Sequence, residues 1–175
     1  MTTEQNKIVE ALQMAIQMEI DGKEYYLKAS QESSNELGKK LLQSLADEED
    51  LHQEKFTEIY NAIRGKKAWP ATDFRPDRGK RPRTVFAQAL GRIGSNAQVL
   101  ATELDAVQTA MSMENKTFDF YNGRSKEASC DAEREFYHAL AAQERTHHEV
   151  LLDYYEYLKD PAGWFVKKEH PSLEG

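Results

Sequence analysis

Cysteine is almost missing from this chain: among 175 residues there is one, Cys130. That excludes an internal disulfide framework and any CxxC metal knuckle. Long apolar runs are missing too. The longest are only a few residues, far short of the ~20 that a membrane-spanning helix needs, and the mean hydropathy is −0.77. The opening segment, MTTEQNKIVE, lacks the basic-then-apolar pattern of a secretory signal. Alternating strand patterns are nearly absent, and of the five prolines three crowd into residues 66–83. A formal net charge of −7 argues against a generic nucleic-acid binder. These absences predict a cytoplasmic, helical protein with no membrane or nucleic-acid partner, and the length suits one domain with a sizeable core.

What is present is helical periodicity. From about residue 4 to 31, Ile8, Leu12, Ala15, Ile16 and Tyr26 recur on one face, as an amphipathic helix requires. Ser33, Ser34 and Asn35 read as a break with capping residues. A second helix runs to about Arg64 with Leu42, Leu45, Phe56 and Ile63 along its stripe, and Gly65 reads as its stop. Residues 66–83 have no periodicity and predict a loop, followed by a short amphipathic piece, TVFAQALGRI. Two more helices are predicted over about 100–122 and 127–159, ended by Pro161. The tail 161–175 reads as irregular, laid on the surface by Trp164 and Phe165.

A shift of 95 positions lays the first helix pair over the second without a gap. ALQMAIQMEIDGKEYY (11–26) falls on AVQTAMSMENKTFDFY (106–121), and LADEEDLHQEKFTEIY (45–60) on LAAQERTHHEVLLDYY (140–155). About 15 of the 53 positions from 11 to 63 are identical, where typical composition gives roughly three by chance. Glu19 lands on Glu114, Glu49 on Glu144, His52 on His147 and Tyr26 on Tyr121. The chain is two copies of one helical hairpin, about 4–64 and 99–159, joined by residues 65–98.

These matched residues face inward. At 100° per residue, Leu42, Phe56 and Tyr60 lie about 20° from Glu49 around their helix, and His52 about 60°. Leu12 and Tyr26 lie within about 20° of Glu19. Four carboxylates aimed into one core are costly, because buried charges need partners and neighbouring carboxylates repel. Two divalent cations balance four carboxylates, with the histidines as neutral donors. Depth agrees: Glu19 and Glu49 each stand about 15 residues from the break at Ser34, Glu114 and Glu144 about 15 from Ser129, so all four meet at one level, ~22 Å along the bundle. One glutamate from each of two helices and a Glu-x-x-His from each of the other two is a known di-metal constellation of helix bundles. The predicted ligands are therefore Glu19, Glu49, His52, Glu114, Glu144 and His147. Mixed oxygen and nitrogen donors accept iron, manganese or zinc.

Two similar features read differently. Glu135 and His138 form a third Glu-x-x-His, but Glu135 points about 180° from Glu144 and its repeat partner is Lys40, so the pair reads as surface. His148 is rotated 100° from His147 and pairs with Gln53. Tyr26 and Tyr121 are either core aromatics with satisfied hydroxyls or groups with a redox role behind the ligands.

Glu19, Glu49-Asp-Leu-His52, Glu114 and Glu144-Arg-Thr-His147, with EYY and DFYNGRS after the single glutamates, make residues from about 5 to 160 resemble the rubrerythrin branch of the ferritin-like di-iron superfamily. The resemblance implies a carboxylate-bridged pair of irons that reacts with hydrogen peroxide or oxygen. Two features depart from it: no rubredoxin domain of paired CxxC motifs is present, and Thr117 stands where an extra glutamate is expected. The fold expected is an all-α four-helix bundle with a long crossover between helices two and three, which sets parallel helices as neighbours across a pseudo-two-fold axis. The function expected is peroxide or oxygen reduction in a homodimer or small oligomer, with ferroxidase and iron storage as the alternative. Residues 64–83 carry eight basic side chains against two aspartates, leaving the rest of the chain at about −13. That segment reads either as a strap on the acidic bundle or as a dock for an acidic external electron donor.

Overall fold

The computed structural model describes residues 3–70, 80–90 and 101–164. Four long helices form the bundle: α1 (Thr3–Glu32), α2 (Glu36–Arg64), α4 (Ala101–Glu127) and α5 (Asp131–Lys159), with the short α3 (Lys80–Leu90) between the hairpins. The break at 33–35 is one turn, and the Asn35 side chain accepts the Gly38 amide at 2.8 Å as the N-cap of α2. At the other end of α2, Gly65 closes the helix as expected, but at φ −74°. The left-handed residue there is Lys66, at φ 59°.

Three boundaries correct the sequence reading. The loop expected through residue 83 gives way to α3 at Lys80. Pro82 does not prevent this, because it sits in the first turn, where no amide needs an acceptor within the helix. Both hairpin turns lie where the repeat puts them, yet α4 runs on to Glu127, past the expected stop near 122. Residues 161–164 form a helical turn rather than irregular chain, closed by the Trp164 amide on the Asp160 carbonyl at 2.9 Å. Phe165, its expected companion on the surface, lies outside the described residues, as does half of the crossover.

Helix neighbours differ from expectation as well. Tyr26 reaches Glu114 while Tyr121 reaches Glu19, so α1 runs antiparallel to α4. His52 meets Gln143 and His147 meets Glu48, so α2 runs antiparallel to α5. The parallel helices α2 and α4, which the crossover joins, stand diagonally. The reason lies in the repeat: the pseudo-two-fold axis crosses the bundle, and a helix rotated about a perpendicular axis meets its own copy head to tail.

The core is two apolar plugs with a polar layer between them. Leu37, Leu41, Leu45, Val107, Leu151 and Tyr154 fill the end near the first turn. Leu12, Phe56, Ile59, Phe136, Tyr137 and Leu140 fill the end near the second. Phe86 and Ala89 of α3 pack onto the first plug, and Arg83 pairs with Glu149 of α5, so this part of the crossover is strapped to the bundle. Among the described residues no helix is long and apolar enough to cross a membrane.

Candidate metal centre

All six predicted ligands lie in the polar layer, each at most 4% exposed. They arrive from four helices because each sits on the apolar stripe of its own helix, at the level fixed by its distance from the turn. Their donor atoms form two overlapping groups, Glu19–Glu49–His52–Glu144 and Glu49–Glu114–Glu144–His147, within each of which the atoms lie within 4.8 Å of one another.

Glu49 and Glu144 belong to both groups, and their oxygens are divided between them. His52 Nδ1 stands 3.2 Å from Glu49 Oε2 and 3.3 Å from Glu144 Oε1. His147 Nδ1 stands 3.3 Å from Glu49 Oε1 and 3.5 Å from Glu144 Oε2. Each of these carboxylates therefore spans the two halves. Glu19 and Glu114 serve one half each: Glu19 Oε2 is 3.2 Å from His52 Nδ1 and Glu114 Oε2 is 3.7 Å from His147 Nδ1. Their other oxygens are held from the opposite hairpin, Glu19 Oε1 by the Tyr121 hydroxyl and Glu114 Oε1 by the Tyr26 hydroxyl. The two imidazoles stack nearly parallel, 5.7 Å apart.

Electrostatics in this layer follow from burial and crowding. Burial, reinforced by the facing glutamate, holds the carboxyls of Glu19 and Glu114 well above the usual range. Burial pushes Glu49 and Glu144 up as well, but hydrogen bonds outweigh it and hold both below the usual range: from Glu19 and both imidazoles for Glu49, and from the two imidazoles for Glu144. Burial disfavours charged imidazoles, yet the surrounding carboxylates lift His52 and His147 well above their ordinary value. Without metal these directions favour the protonated forms of Glu19, Glu114 and the two histidines, which offsets part of the negative charge of the layer.

Four polar atoms of the layer are buried and make no well-aligned hydrogen bond, although neighbouring carboxylates and imidazoles stand 3.3–3.7 Å away: Glu114 Oε2, Glu144 Oε1, and Nδ1 and Nε2 of His147. Such atoms are costly to leave unpaired in a core, and three of them belong to the two donor groups. The donor set thus fits a pair of metal ions. The rubrerythrin family model matches residues 10–155. This chain belongs to the rubrerythrin family. Its members are di-iron carboxylate proteins within the ferritin-like superfamily. No curated protein and no solved structure gives a significant match.

Two residues behind the histidines were missed by the sequence reading. Gln143 Oε1 takes His52 Nε2 at 2.7 Å, and Glu48 Oε2 stands 3.6 Å from His147 Nε2. Both are buried, and the 95-residue shift puts Glu48 on Gln143. Their place directly before Glu49 and Glu144 in the repeat was the available signal. Glu135 and His138 are exposed, as the facing argument requires, and His148 is partly exposed and outside both donor groups. Burial, with the Arg145 cation beside it, holds the His148 imidazole below its ordinary range.

A cavity of about 20 Å³ opens beside Glu19, Glu49, Glu114 and Glu144, walled by Met18, Met113, Gly22 and Thr117. That is room for about one water-sized molecule. The groove of about 480 Å³ under α3, edged by Lys39, Lys40 and Arg81, is far roomier but includes none of the six residues.

Proposed function

We propose that the protein is an oxidoreductase that reduces hydrogen peroxide, or oxygen, at two irons held by Glu19, Glu49, His52, Glu114, Glu144 and His147. The observation that carries this reading is the division of the Glu49 and Glu144 oxygens between two imidazole-centred groups, beside a cavity sized for a small molecule. Reduced iron supplies one electron per ion, which together meet the two-electron requirement of peroxide.

The chain's own residues set the conditions for that chemistry. Glu49 and Glu144 tie the halves together. Glu19 and Glu114 each turn one oxygen inward, because a tyrosine hydroxyl fixes the other. Burial and the adjacent carboxylates push the Tyr26 and Tyr121 hydroxyls well above their ordinary range, so both stay protonated and remain donors. The apolar plugs exclude bulk water, which strengthens every electrostatic contact between them.

Electrons must come from another molecule, and we place its docking on the start of the basic segment 64–83, at Arg64, Lys66 and Lys67. The test is metal analysis of protein from its native host, followed by stopped-flow oxidation of the reduced form. Two irons per chain, faster oxidation by peroxide than by oxygen, and a dimer or small oligomer support the reading. A 24-subunit shell that accumulates mineral overturns it in favour of iron storage.

A further inference from the structure

A line of aromatic rings leads out of the polar layer from Tyr121. Tyr121, fully buried, donates its hydroxyl to Glu19. Its ring centre lies 6.0 Å from that of Tyr137, and Tyr137 lies 5.8 Å from Trp69, both within the range of packed aromatic pairs. Phe56 and Phe136 flank this line at 5.3 Å from Tyr121 and 5.9 Å from Trp69. Trp69 is only partly buried, and it follows the exposed Arg64, Lys66 and Lys67. The line therefore begins on a glutamate of the centre and ends beside the basic segment.

The repeat supplies an internal control. The 95-residue shift carries Trp69 onto Trp164 and Tyr121 onto Tyr26, so both ends of the line recur in the other hairpin. Its middle does not: Leu42 and Leu151 stand at the positions of Tyr137 and Phe56. Both leucines are buried in their own plug, so filling the core at these positions does not require aromatic rings. Nor does the buried Tyr137 hydroxyl find an acceptor for its proton, since its polar neighbour is the Arg124 guanidinium, which can only donate.

We propose that Trp69, Tyr137 and Tyr121 form a one-electron conduit between the basic segment after α2 and Glu19. This rests on the redox reading of the centre. When Trp69 is oxidised, Tyr137 relays one electron outward from Tyr121. The Tyr121 phenol loses its proton along its existing hydrogen bond to the Glu19 carboxylate and becomes a neutral phenoxyl radical, while Trp69 and Tyr137 return to their starting states. The hole settles on Tyr121 because a proton acceptor is already in place there. Tyr137 has none, and the Arg124 guanidinium lies 6.0 Å over its ring. In the working direction the oxidant is the centre after its reaction with peroxide: Tyr121 gives it one electron as the phenol proton passes to Glu19, and is refilled through Trp69 by one electron from an acidic one-electron donor protein, which is itself oxidised, while the proton returns from Glu19.

Pulse radiolysis in bromide solution tests the conduit on zinc-loaded Trp164→Phe protein, in which Trp69 is the remaining tryptophan. The dibromide radical anion takes one electron from Trp69 and becomes two bromide ions. The expected result is decay of the tryptophan radical into a tyrosyl radical at a rate independent of protein concentration. Tyr137→Phe slows this by about tenfold or more, since a phenyl ring raises the barrier to oxidation, and Tyr121→Phe removes the long-lived tyrosyl signal. Tyr137→Phe keeps the ring and loses only a hydroxyl without an acceptor, so a matching thermal melt shows that packing is intact. Unchanged transfer in either variant overturns the proposal. Zinc content is measured first: failure to hold metal counts against the proposed function, whereas failed radical transfer in zinc-loaded protein counts against the conduit alone.

Discussion

The two hairpins agree at their centre and differ at most of the positions around it. Glu19, Glu49, His52 and Tyr26 have identical copies 95 residues on. One step outward, Glu48 faces Gln143 in the repeat, Leu42 faces Tyr137, and Gly38 faces Glu133. The turns show what the last difference does. At the first, Glu103 is buried and accepts from Ser33, Ser34 and Tyr154, packed over the bare Cα of Gly38. At the second, Glu133 stands where Gly38 would be and accepts the Ser129 amide and hydroxyl, both at 2.9 Å. Both turns engage a buried carboxylate through repeat-related hydroxyls, Ser34 and Ser129, but the glutamate comes from α4 at the first turn and from α5 itself at the second. Identity is kept at the donor residues of the two groups and the tyrosines behind them, while many of the surrounding positions differ.

The largest expected effect separates shared from unshared ligands. Glu49→Ala or Glu144→Ala removes an oxygen from both halves, and elemental analysis should find the pair lost, with one metal or fewer per chain. Glu19→Ala or Glu114→Ala touches one half and should leave about one metal bound. Equal losses in all four variants would break the distinction between bridging and terminal carboxylates.

Removing metal exposes the proton balance of the layer. Glu19, Glu114, His52 and His147 are raised, so their stabilisation is full below the unfolded values of 4.5 and 6.5 and is lost as pH rises. Glu49 and Glu144 are lowered, so theirs is present above 4.5 and lost as pH falls. Metal-free protein should therefore be most stable near pH 4.5 to 5 and weaken upward, most steeply above pH 6.5, by about 1.4 kcal/mol per pH unit for each proton held. Metal affinity should rise over the same range, because the ligands must shed those protons. Denaturant melts of the metal-free protein that gain stability between pH 6 and 8 would contradict the shared carboxylate layer.

The sequence makes the bundle and its centre legible because both depend on quantities it carries directly: helical phase, distance from a turn, and a repeat that checks each choice twice. Glu135 and His138 show phase alone rejecting a false pair. Glu48 and Gln143 escaped because they touch the histidine of the opposite hairpin, and a contact across helices leaves no period in the sequence. The antiparallel pairing of α1 with α4 escaped for the same reason, since it depends on the orientation of the symmetry axis.

Glu48 and Gln143 offer the sharpest test of unequal halves. A carboxylate behind an imidazole strengthens it as a ligand more than a neutral amide does, and such partners matter by about 10- to 100-fold in affinity. Cobalt titration calorimetry should resolve two steps. Glu48→Gln should weaken the first, bringing the two together, and Gln143→Glu should strengthen the second. Two equal steps in the parent protein would show that the halves are functionally alike despite the difference.

Gly38 tests the divergence of the turns. A methyl group there collides with the Tyr154 hydroxyl and the Ser33 hydroxyl, and Gly38→Ala should cost about 1–3 kcal/mol. Gly123 is the counterexample on α4, with nothing near the position of an added Cβ, so Gly123→Ala should be neutral or stabilising by up to about 1 kcal/mol. Urea melts of the two variants give the comparison directly.

The smallest effects divide the basic crossover into two parts. Arg83 pairs with Glu149, both groups being about half exposed, and Arg81 lines a groove with Asp47. Exposed pairs of this kind contribute about 0–1 kcal/mol, so neutralising Arg81 and Arg83 together should lower Tm slightly and leave donor-driven turnover per folded molecule unchanged. Arg64, Lys66 and Lys67 precede Trp69, and there a charge change acts on encounter rather than on folding. Neutralising those three should slow reduction by an acidic donor and flatten its salt dependence, with direct chemical reduction of the metals unaffected. If instead the Arg81 and Arg83 variant slows the donor while the Arg64, Lys66 and Lys67 variant does not, docking belongs on α3 and the aromatic line ends on the wrong surface to receive electrons.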